Sequence, residues 1–137
     1  MGNEPLQLLA DFVHRYPDLL VLSGAGISAS SGVPTYRNNE GQWQRRPPVQ
    51  HGDFLNNHGT RQRFWARNMV GWRFMRDASP SPSHFALAAL EALGMIRSVV
   101  TQNVDGLHQR AGSRRVIDLH GRIDRLRCLL CAAVVHR

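Results

Sequence analysis

The chain has 137 residues, of which 42% are apolar and 20% charged, a composition that excludes wholesale disorder and suits one folded domain. Its apolar runs are far shorter than the roughly 20 residues that a membrane helix needs, and the N-terminus lacks the features of a secretory signal. The formal charge is +7. Because no lysine is present and the arginines are spread from Arg15 to Arg137, we attribute the charge to codon usage and expect no nucleic-acid partner.

The elements predicted in chain order alternate between helices and strands. Apolar spacing predicts a helix over residues 5–15, and the continuous apolar run at 19–22 is typical of a buried parallel strand. Residues 33–59 are rich in Pro, Gly, Asn and Gln and predict a long functional loop. The remaining predictions are a helix at 60–78, a helix at 85–93 that Ser83 caps and Gly94 ends, and strands at 96–101 and 116–119. This order predicts an α/β fold with a parallel sheet.

A glycine loop follows the first predicted strand. Residues 24–29 fit the dinucleotide-binding pattern G-x-G-x-x-G/A, in which Gly24 permits a tight turn and Gly26 lets the backbone approach a pyrophosphate. Amides at the start of a following helix would face the phosphates. Glycine turns also follow strands without binding anything, so a turn with a purely structural role is an alternative interpretation. A dehydrogenase would carry an acidic residue about 20 positions further on, where this chain has Arg45 and Arg46, so a plain dehydrogenase is disfavoured.

Four motifs together resemble those of the sirtuins, the NAD-dependent protein deacylases. Three resemble the family's signatures in order, and the fourth is similar to the first half of its structural zinc site. They are residues 24–37 (GAGISASSGVPTYR), 101–112 (TQNVDGLHQRAG), 119–121 (LHG) and 128–131 (CLLC). Residues 46–54 and 61–72 further resemble the bacterial and mitochondrial branch to which human sirtuin four belongs.

The resemblance implies a Rossmann-like parallel sheet with a small zinc-binding module, and NAD-dependent deacylation of acyl-lysine protein substrates. The acyl oxygen displaces nicotinamide from NAD, and a base then activates a ribose hydroxyl on the way to O-acyl-ADP-ribose. Histidine suits that proton transfer because its side chain ordinarily titrates near pH 6.5, and the matching base is His120. The residues that the resemblance assigns to NAD are Gly24, Ala25, Gly26, Ser28, Pro34, Tyr36, Arg37, Gln102, Asn103 and Asp105.

Two positions depart from the family's pattern. Thr35 stands where the family usually has Asp, which predicts altered loop closure or NAD affinity. Phe64 and Arg67 lie where some sirtuins carry a Tyr-x-x-Arg pair that binds acidic acyl groups, but Phe64 lacks the hydroxyl. Arg67 is therefore either a contact for a carboxylate or part of a solvated helix face.

The resemblance assigns Cys128 and Cys131 to a structural zinc. A tetrahedral site needs four ligands, and the chain has no other cysteine. His136 is a conceivable third ligand, and a redox role for the cysteine pair is the alternative. We therefore expect residues 1–137 to be a partial sirtuin catalytic domain, with the first half of the zinc module at about 122–137, that folds poorly and is inactive alone.

Two other functions stay open. Another nucleophile can intercept nicotinamide displacement, which would make the protein a mono-ADP-ribosyltransferase, and a catalytically dead NAD-binding fragment is the third possibility. The N-terminus has no amphipathic leader rich in Arg and Ser, which favours the bacterial cytoplasm over the mitochondrial matrix. The short apolar runs predict no membrane partner. The oligomeric state, the acyl preference and the protein substrate are not predicted.

Overall fold

The computed structural model of the chain describes residues 4–35, 38, 40–42 and 47–137. In chain order its elements are α1 (Glu4–Arg15), β1 (Leu19–Ser23), a 3₁₀ helix (Ala25–Ser31), α2 (His51–Asn56), α3 (His58–Asp77), α4 (Pro82–Ala92), β2 (Ile96–Thr101), α5 (Leu107–Arg110), β3 (Val116–Asp118), β4 (Arg125–Arg127) and β5 (Val134–His136). Among the helices so described, none is long and apolar enough to cross a membrane.

Three parallel strands in the order β1-β2-β3 form the main sheet. Their register pairs Ser23 with Thr101 and Thr101 with Asp118, so all three strands end at the same edge. Parallel neighbours need crossover connections, which α2, α3 and α4 supply between β1 and β2, and α5 between β2 and β3. The predicted α/β fold with a parallel sheet is confirmed, and ligands of such sheets bind at the carboxyl edge.

β1 is covered on one face only. Ser23 is buried, whereas Leu20 and Leu22 are 62% and 64% exposed. Alternate residues of a strand point to opposite faces, so these two leucines share the exposed face. The prediction of a fully buried strand was wrong for that face, because a continuous apolar run does not reveal which side is covered.

Part of the predicted loop at 33–59 is helical. It contains α2 and the start of α3. The side chain of Asn57 caps α3 by accepting the N–H of Thr60 at 2.8 Å, and Phe54 of α2 packs edge-on against Phe64 of α3 at 4.9 Å between ring centroids. The loop prediction was wrong here because the Asn that suggested a loop serves as a helix cap.

α4 begins before its predicted start. Its first residue is Pro82, and Ser81 holds the capping position that had been predicted for Ser83. Proline suits the first helical position because its missing N–H would have no partner within the helix. As predicted, Gly94 follows the end of this helix in the left-handed conformation, with φ of 76°.

An apolar cluster lies beneath the loops at the carboxyl edge of the sheet. It consists of Val33, Ala78 and Leu107, with Met75 packed against it, and Leu107 is fully buried. These residues come from the end of the 3₁₀ helix, α3 and α5. The cluster therefore anchors the segments that follow β1 and β2.

The C-terminal segment forms an antiparallel hairpin that the sequence patterns did not predict. β4 and β5 pair Arg125 with His136 and Leu126 with Val135. In the turn, Cys128 N–H donates to the Ala133 carbonyl at 2.8 Å. Strands of three residues are too short for a recognisable alternation of apolar and polar positions.

Candidate functional site

Two loops meet at the carboxyl edge of the sheet through side-chain hydrogen bonds. Ser28, which is fully buried, donates from Oγ to Asp105 Oδ2 at 2.7 Å. The side-chain amide of Asn103 donates to Ser28 Oγ and to the Gly24 carbonyl, both at 3.1 Å. Four of the predicted NAD residues thus form one hydrogen-bonded junction between the first and second signatures.

Asp105 uses both carboxylate oxygens within the protein. Besides Ser28, it accepts the N–H of Leu107 through Oδ1 at 2.9 Å and so supports the first turn of α5. Gly106 between them has φ of 70°, which favours glycine. Asp105 therefore links the two loops, and its predicted contact with NAD stays a prediction.

The glycine loop presents open backbone at this edge. A Cβ atom added to Gly24 or Gly26 would meet no heavy atom of the described residues within 4 Å apart from their own neighbours in the chain, so the main chain is open to a ligand on that side. The helix that follows is a 3₁₀ helix, which Gly32 ends with φ of 76°. This tighter coil differs from the helix that the sequence predicted.

His120 lies exposed in the turn after β3. The preceding Leu119 N–H donates to the Thr101 carbonyl at 2.9 Å, and Gln102 N–H donates to the Ser23 carbonyl at 3.1 Å. Both predicted residues thus follow strand ends at the same edge. An exposed imidazole at this edge can exchange a proton with a ligand that lies across it.

The other predicted NAD residues fall into two groups. Ala25 is half-buried at the start of the 3₁₀ helix, and Pro34 is exposed beyond its end, next to the half-buried Thr35. Tyr36 and Arg37 lie outside the described residues, as do Arg45 and Arg46. The structure therefore does not describe the aromatic and basic residues at the end of the first signature, Tyr36 and Arg37.

Arg122, in the segment after His120, lies against the loop that follows β2. Its guanidinium pairs with Asp124 at 2.6 Å, and its Nη2 lies 3.0 Å from where a Cβ of Gly106 would stand. Burial alone would raise the pKa of Asp124, but the hydrogen bonds from Arg122 and the nearby arginine charges outweigh it, so the pKa is lowered. The sequence did not single out Arg122, because in an arginine-rich chain one more arginine carries no signal.

A buried polar network beneath the loops was also missed. Ser23 Oγ lies 2.9 Å from Thr101 Oγ1 and 2.8 Å from His108 Nε2, and the Asn103 N–H donates to Thr101 Oγ1 at 3.0 Å. His108 is 1% exposed, and its ring centroid lies 4.7 Å from that of the fully buried His84. The available signal was a polar residue at the last position of two consecutive strands.

Cys128 and Cys131 are both exposed thiols at the hairpin turn. Hydrogen bonds from the backbone of Cys131 and Leu130, together with one from the Cys131 side chain, lower the pKa of the Cys128 thiol. Within the described ranges no three His, Cys, Asp or Glu side chains gather as a metal site. The structure therefore does not bring His136 to the cysteine pair as a third ligand.

Two further features lie apart from this junction. Arg67 lies on the exposed side of α3, whereas Phe64 packs into the aromatic contact with Phe54. A cavity of about 760 Å³ lies beside α3 and contains none of the predicted site residues. It is lined by Ser31, Met69, Val70, Arg73, Phe74, Asp77 and Ala78.

The parallel sheet, with a glycine loop after β1 and polar residues at the carboxyl edge, defines an α/β domain of the Rossmann-like type. The comparison with family models makes the class specific, because the Sir2 family model matches residues 24–137. The chain belongs to the Sir2 family, which confirms the resemblance inferred from the four motifs.

Relatives come from several organisms. The chain is 51% identical to "NAD-dependent protein deacetylase 2" of Bradyrhizobium diazoefficiens, with all of this chain and 51% of the relative covered. It is 50% identical to an NAD-dependent protein deacetylase of Bordetella pertussis, over 92% of this chain and 46% of the relative. An NAD-dependent protein deacylase of Monosiga brevicollis is 46% identical, over 98% of this chain and 43% of the relative. The chain thus spans about half the length of these relatives.

Solved structures of Sir2 proteins share the fold. A Sir2 complex with a p53 peptide and NAD⁺ superimposes with a TM-score of 0.81 at 34% identity, covering 99% of this chain and 52% of that one. A Sir2 protein bound to acetylated peptide gives a TM-score of 0.80 at 33% identity, with 99% and 52% covered. The described sheet and loops are therefore those of the Sir2 fold.

Proposed function

We propose that this chain carries the NAD-binding and base-bearing part of an NAD-dependent protein deacylase. The observation that carries the proposal is the junction of Gly24, Ser28, Asn103 and Asp105, in which loops from two signatures are locked together at the carboxyl edge. Membership of the Sir2 family and the NAD-dependent activity in the relatives' names support it.

Each group of residues takes one part of the ligand. The open backbone at the glycine loop receives the phosphates, since no atom of the described residues lies within 4 Å of a Cβ added there, the glycines' own chain neighbours apart. Asn103 and Gln102 offer amide groups, and Asp105 a carboxylate, that suit directed hydrogen bonds to ribose hydroxyls and a carboxamide. The full set proposed for NAD is Gly24, Ala25, Gly26, Ser28, Pro34, Tyr36, Arg37, Gln102, Asn103 and Asp105.

His120 is the proposed general base. When bound, NAD supplies the ribose carbon that accepts the acyl oxygen of the substrate as nicotinamide leaves. The exposed imidazole of His120 then accepts the proton of a ribose hydroxyl on a ring nitrogen. Acyl-lysine proteins are the proposed substrates, since a related structure holds an acetylated peptide. A cytoplasmic location stays a prediction.

NAD binding tests this proposal in a chimera in which this chain replaces the matching half of the Bradyrhizobium relative. Gly26→Val is expected to leave the fold intact, because a Cβ at this position meets no atom of the described residues within 4 Å apart from its chain neighbours, and to weaken NAD binding at least about tenfold, which corresponds to about 1.4 kcal/mol. Isothermal titration calorimetry measures the affinity and circular dichroism the fold. Gly52→Val is the control, since Gly52 also faces open space but lies on α2. Equal NAD affinity in the two variants would contradict the phosphate site.

We further propose that Cys128 and Cys131 contribute two thiolates to a structural zinc. The donor set fits in part: both thiols are exposed on one turn, and the hydrogen bonds that lower the pKa of Cys128 favour the thiolate that binds metal. Two thiolates make half of a tetrahedral set. When bound, zinc would tie the turn of the hairpin to its remaining ligands.

Zinc binding can be tested by native mass spectrometry of the same chimera with added zinc. Cys128→Ser is expected to lose the bound metal, because one of the two soft ligands becomes a poor one. His136→Ala is expected to retain it, since His136 is not gathered with the cysteines. Metal retained by Cys128→Ser but lost by His136→Ala would contradict the assignment.

A further inference from the structure

Two buried histidines form a connection beneath the proposed NAD site. His84 of α4 is fully buried and His108 of α5 is 1% exposed. Their ring centroids lie 4.7 Å apart with the planes tilted by 60°. Neither ring belongs to the residues proposed to contact NAD.

His84 connects to the glycine loop through Ser81. Its Nδ1 lies 2.7 Å from Ser81 Oγ and receives the Ser81 N–H at 3.1 Å. Ser81 Oγ in turn donates to the carbonyl of Ile27 at 3.0 Å. Ile27 lies between Gly26 and Ser28. His84 is therefore connected, through Ser81, to the loop that is proposed to receive the phosphates.

His108 connects to the second loop through two hydroxyls. Its Nε2 is bonded to Ser23 Oγ, which contacts Thr101 Oγ1, and that oxygen accepts the Asn103 N–H. Asn103 is the residue whose amide holds Gly24 and Ser28. The two rings therefore support opposite sides of one junction.

Among the described residues, Nε2 of His84 and Nδ1 of His108 have no hydrogen-bond partner. Because Nδ1 of His84 accepts the Ser81 N–H, the neutral ring carries its proton on Nε2, and a second proton on Nδ1 would remove that acceptor. Because Ser23 Oγ donates to Thr101, it accepts from Nε2 of His108, and a second proton on Nδ1 would bury an unpaired N–H on a charged ring.

Burial lowers the pKa of both rings, and for His108 the neighbouring His84 lowers it further. Asp105 opposes both shifts and Asp118 opposes that of His108, but neither reverses the direction. Both rings are therefore neutral at neutral pH.

We propose that His84 and His108 are positioning residues: as a neutral pair they hold Ile27 and Asn103 in place, and proton uptake by either ring releases the NAD site. The inference rests on the proposed function for its ligand, whereas the coupling between the rings and the loops is a property of the fold. The proposal predicts that NAD affinity falls in mild acid for a reason that does not involve the proposed base His120.

The test is nuclear magnetic resonance between pH 8 and 5 of a chimera in which this chain, isotope-labelled, replaces the matching half of the Bradyrhizobium relative, with NAD affinity measured at each pH. We expect the amide signals of Ile27 and Asn103 to move with the midpoint of the His84 and His108 rings, below the ordinary histidine pKa of about 6.5. NAD affinity should fall about tenfold per pH unit below that midpoint, the slope for one linked proton. Amide signals that do not follow the rings would overturn the proposal.

Variants separate proton uptake from simple structural loss. His108→Gln offers an N–H donor near the position of Nε2 without titrating, so it should bind NAD more tightly than His108→Ala and show a flatter pH profile than the unaltered chain. His14→Gln is the matched control, because His14 is exposed and bonds only within α1. An unchanged pH profile in a variant that carries both His84→Gln and His108→Gln would overturn the proposal.

Two further outcomes have defined meanings. A chimera that binds no NAD at any pH would contradict the proposed function, and the amide signals would still decide whether the pair holds the loops. If the His108 variants do not fold, the same signals in the unaltered chain decide the question.

Discussion

Replacing His120 with alanine is expected to lower deacylation by about 10²–10⁴-fold, the usual contribution of a general base. The suitable protein is a chimera in which this chain replaces the matching half of the Bradyrhizobium relative, with which it shares 51% identity. Because His120 is exposed, its removal should leave folding unchanged. Mass spectrometry of an acetylated peptide and of released nicotinamide measures the turnover.

A second histidine controls for the loss of an imidazole. His58 is exposed at the start of α3, and His58→Ala should retain the turnover of the parent chimera. Equal turnover in the His120 and His58 variants would contradict the assignment of the base. ADP-ribose on the protein, in place of deacylated peptide, would favour the transferase alternative.

The Leu107→Ala substitution is expected to destabilise the chain by about 2–5 kcal/mol. Leu107 is fully buried against Val33, Ala78 and Met75, and small domains are commonly stable by only about 5–15 kcal/mol. A cavity at this position would also loosen α5, whose first N–H is held by Asp105. Urea denaturation followed by circular dichroism measures the free energy of unfolding.

Leu93→Ala provides the comparison for this core substitution. Leu93 is 71% exposed at the end of α4, so its truncation should change the free energy of unfolding by less than about 0.5 kcal/mol. Similar urea midpoints for the two variants would show that Leu107 does not anchor the core.

The predictable part of the fold came from signals that act locally. Apolar runs and glycine turns located the parallel strands to within a residue, since β3 ends at Asp118 where the prediction extended to position 119. Composition failed at residues 51–59, where Asn57 has turn chemistry but caps a helix. Local composition cannot distinguish these two uses of one side chain.

The motifs likewise identified some residues of the candidate site and missed others. The signatures identified Ser28, Asn103 and Asp105 before any contact among them was known, and the structure brings the three together. The supporting histidines were missed because their role depends on burial and on partners far away in the sequence. His84 reaches the glycine loop only through Ser81 and Ile27, a route that spacing within one motif does not reveal.

The hydrogen bond from Ser28 to Asp105 joins positions 77 residues apart. Closing a chain segment of this length costs conformational entropy before any contact forms, and parallel strand pairing adds to that cost. The junction is therefore expected to form late in folding, after α4 and the other local helices. A ligand that binds only the closed junction stabilises the whole native state by mass action, by about 2.7 kcal/mol at one hundred times its dissociation constant. Ligand binding at this site and the stability of the fold are therefore thermodynamically linked.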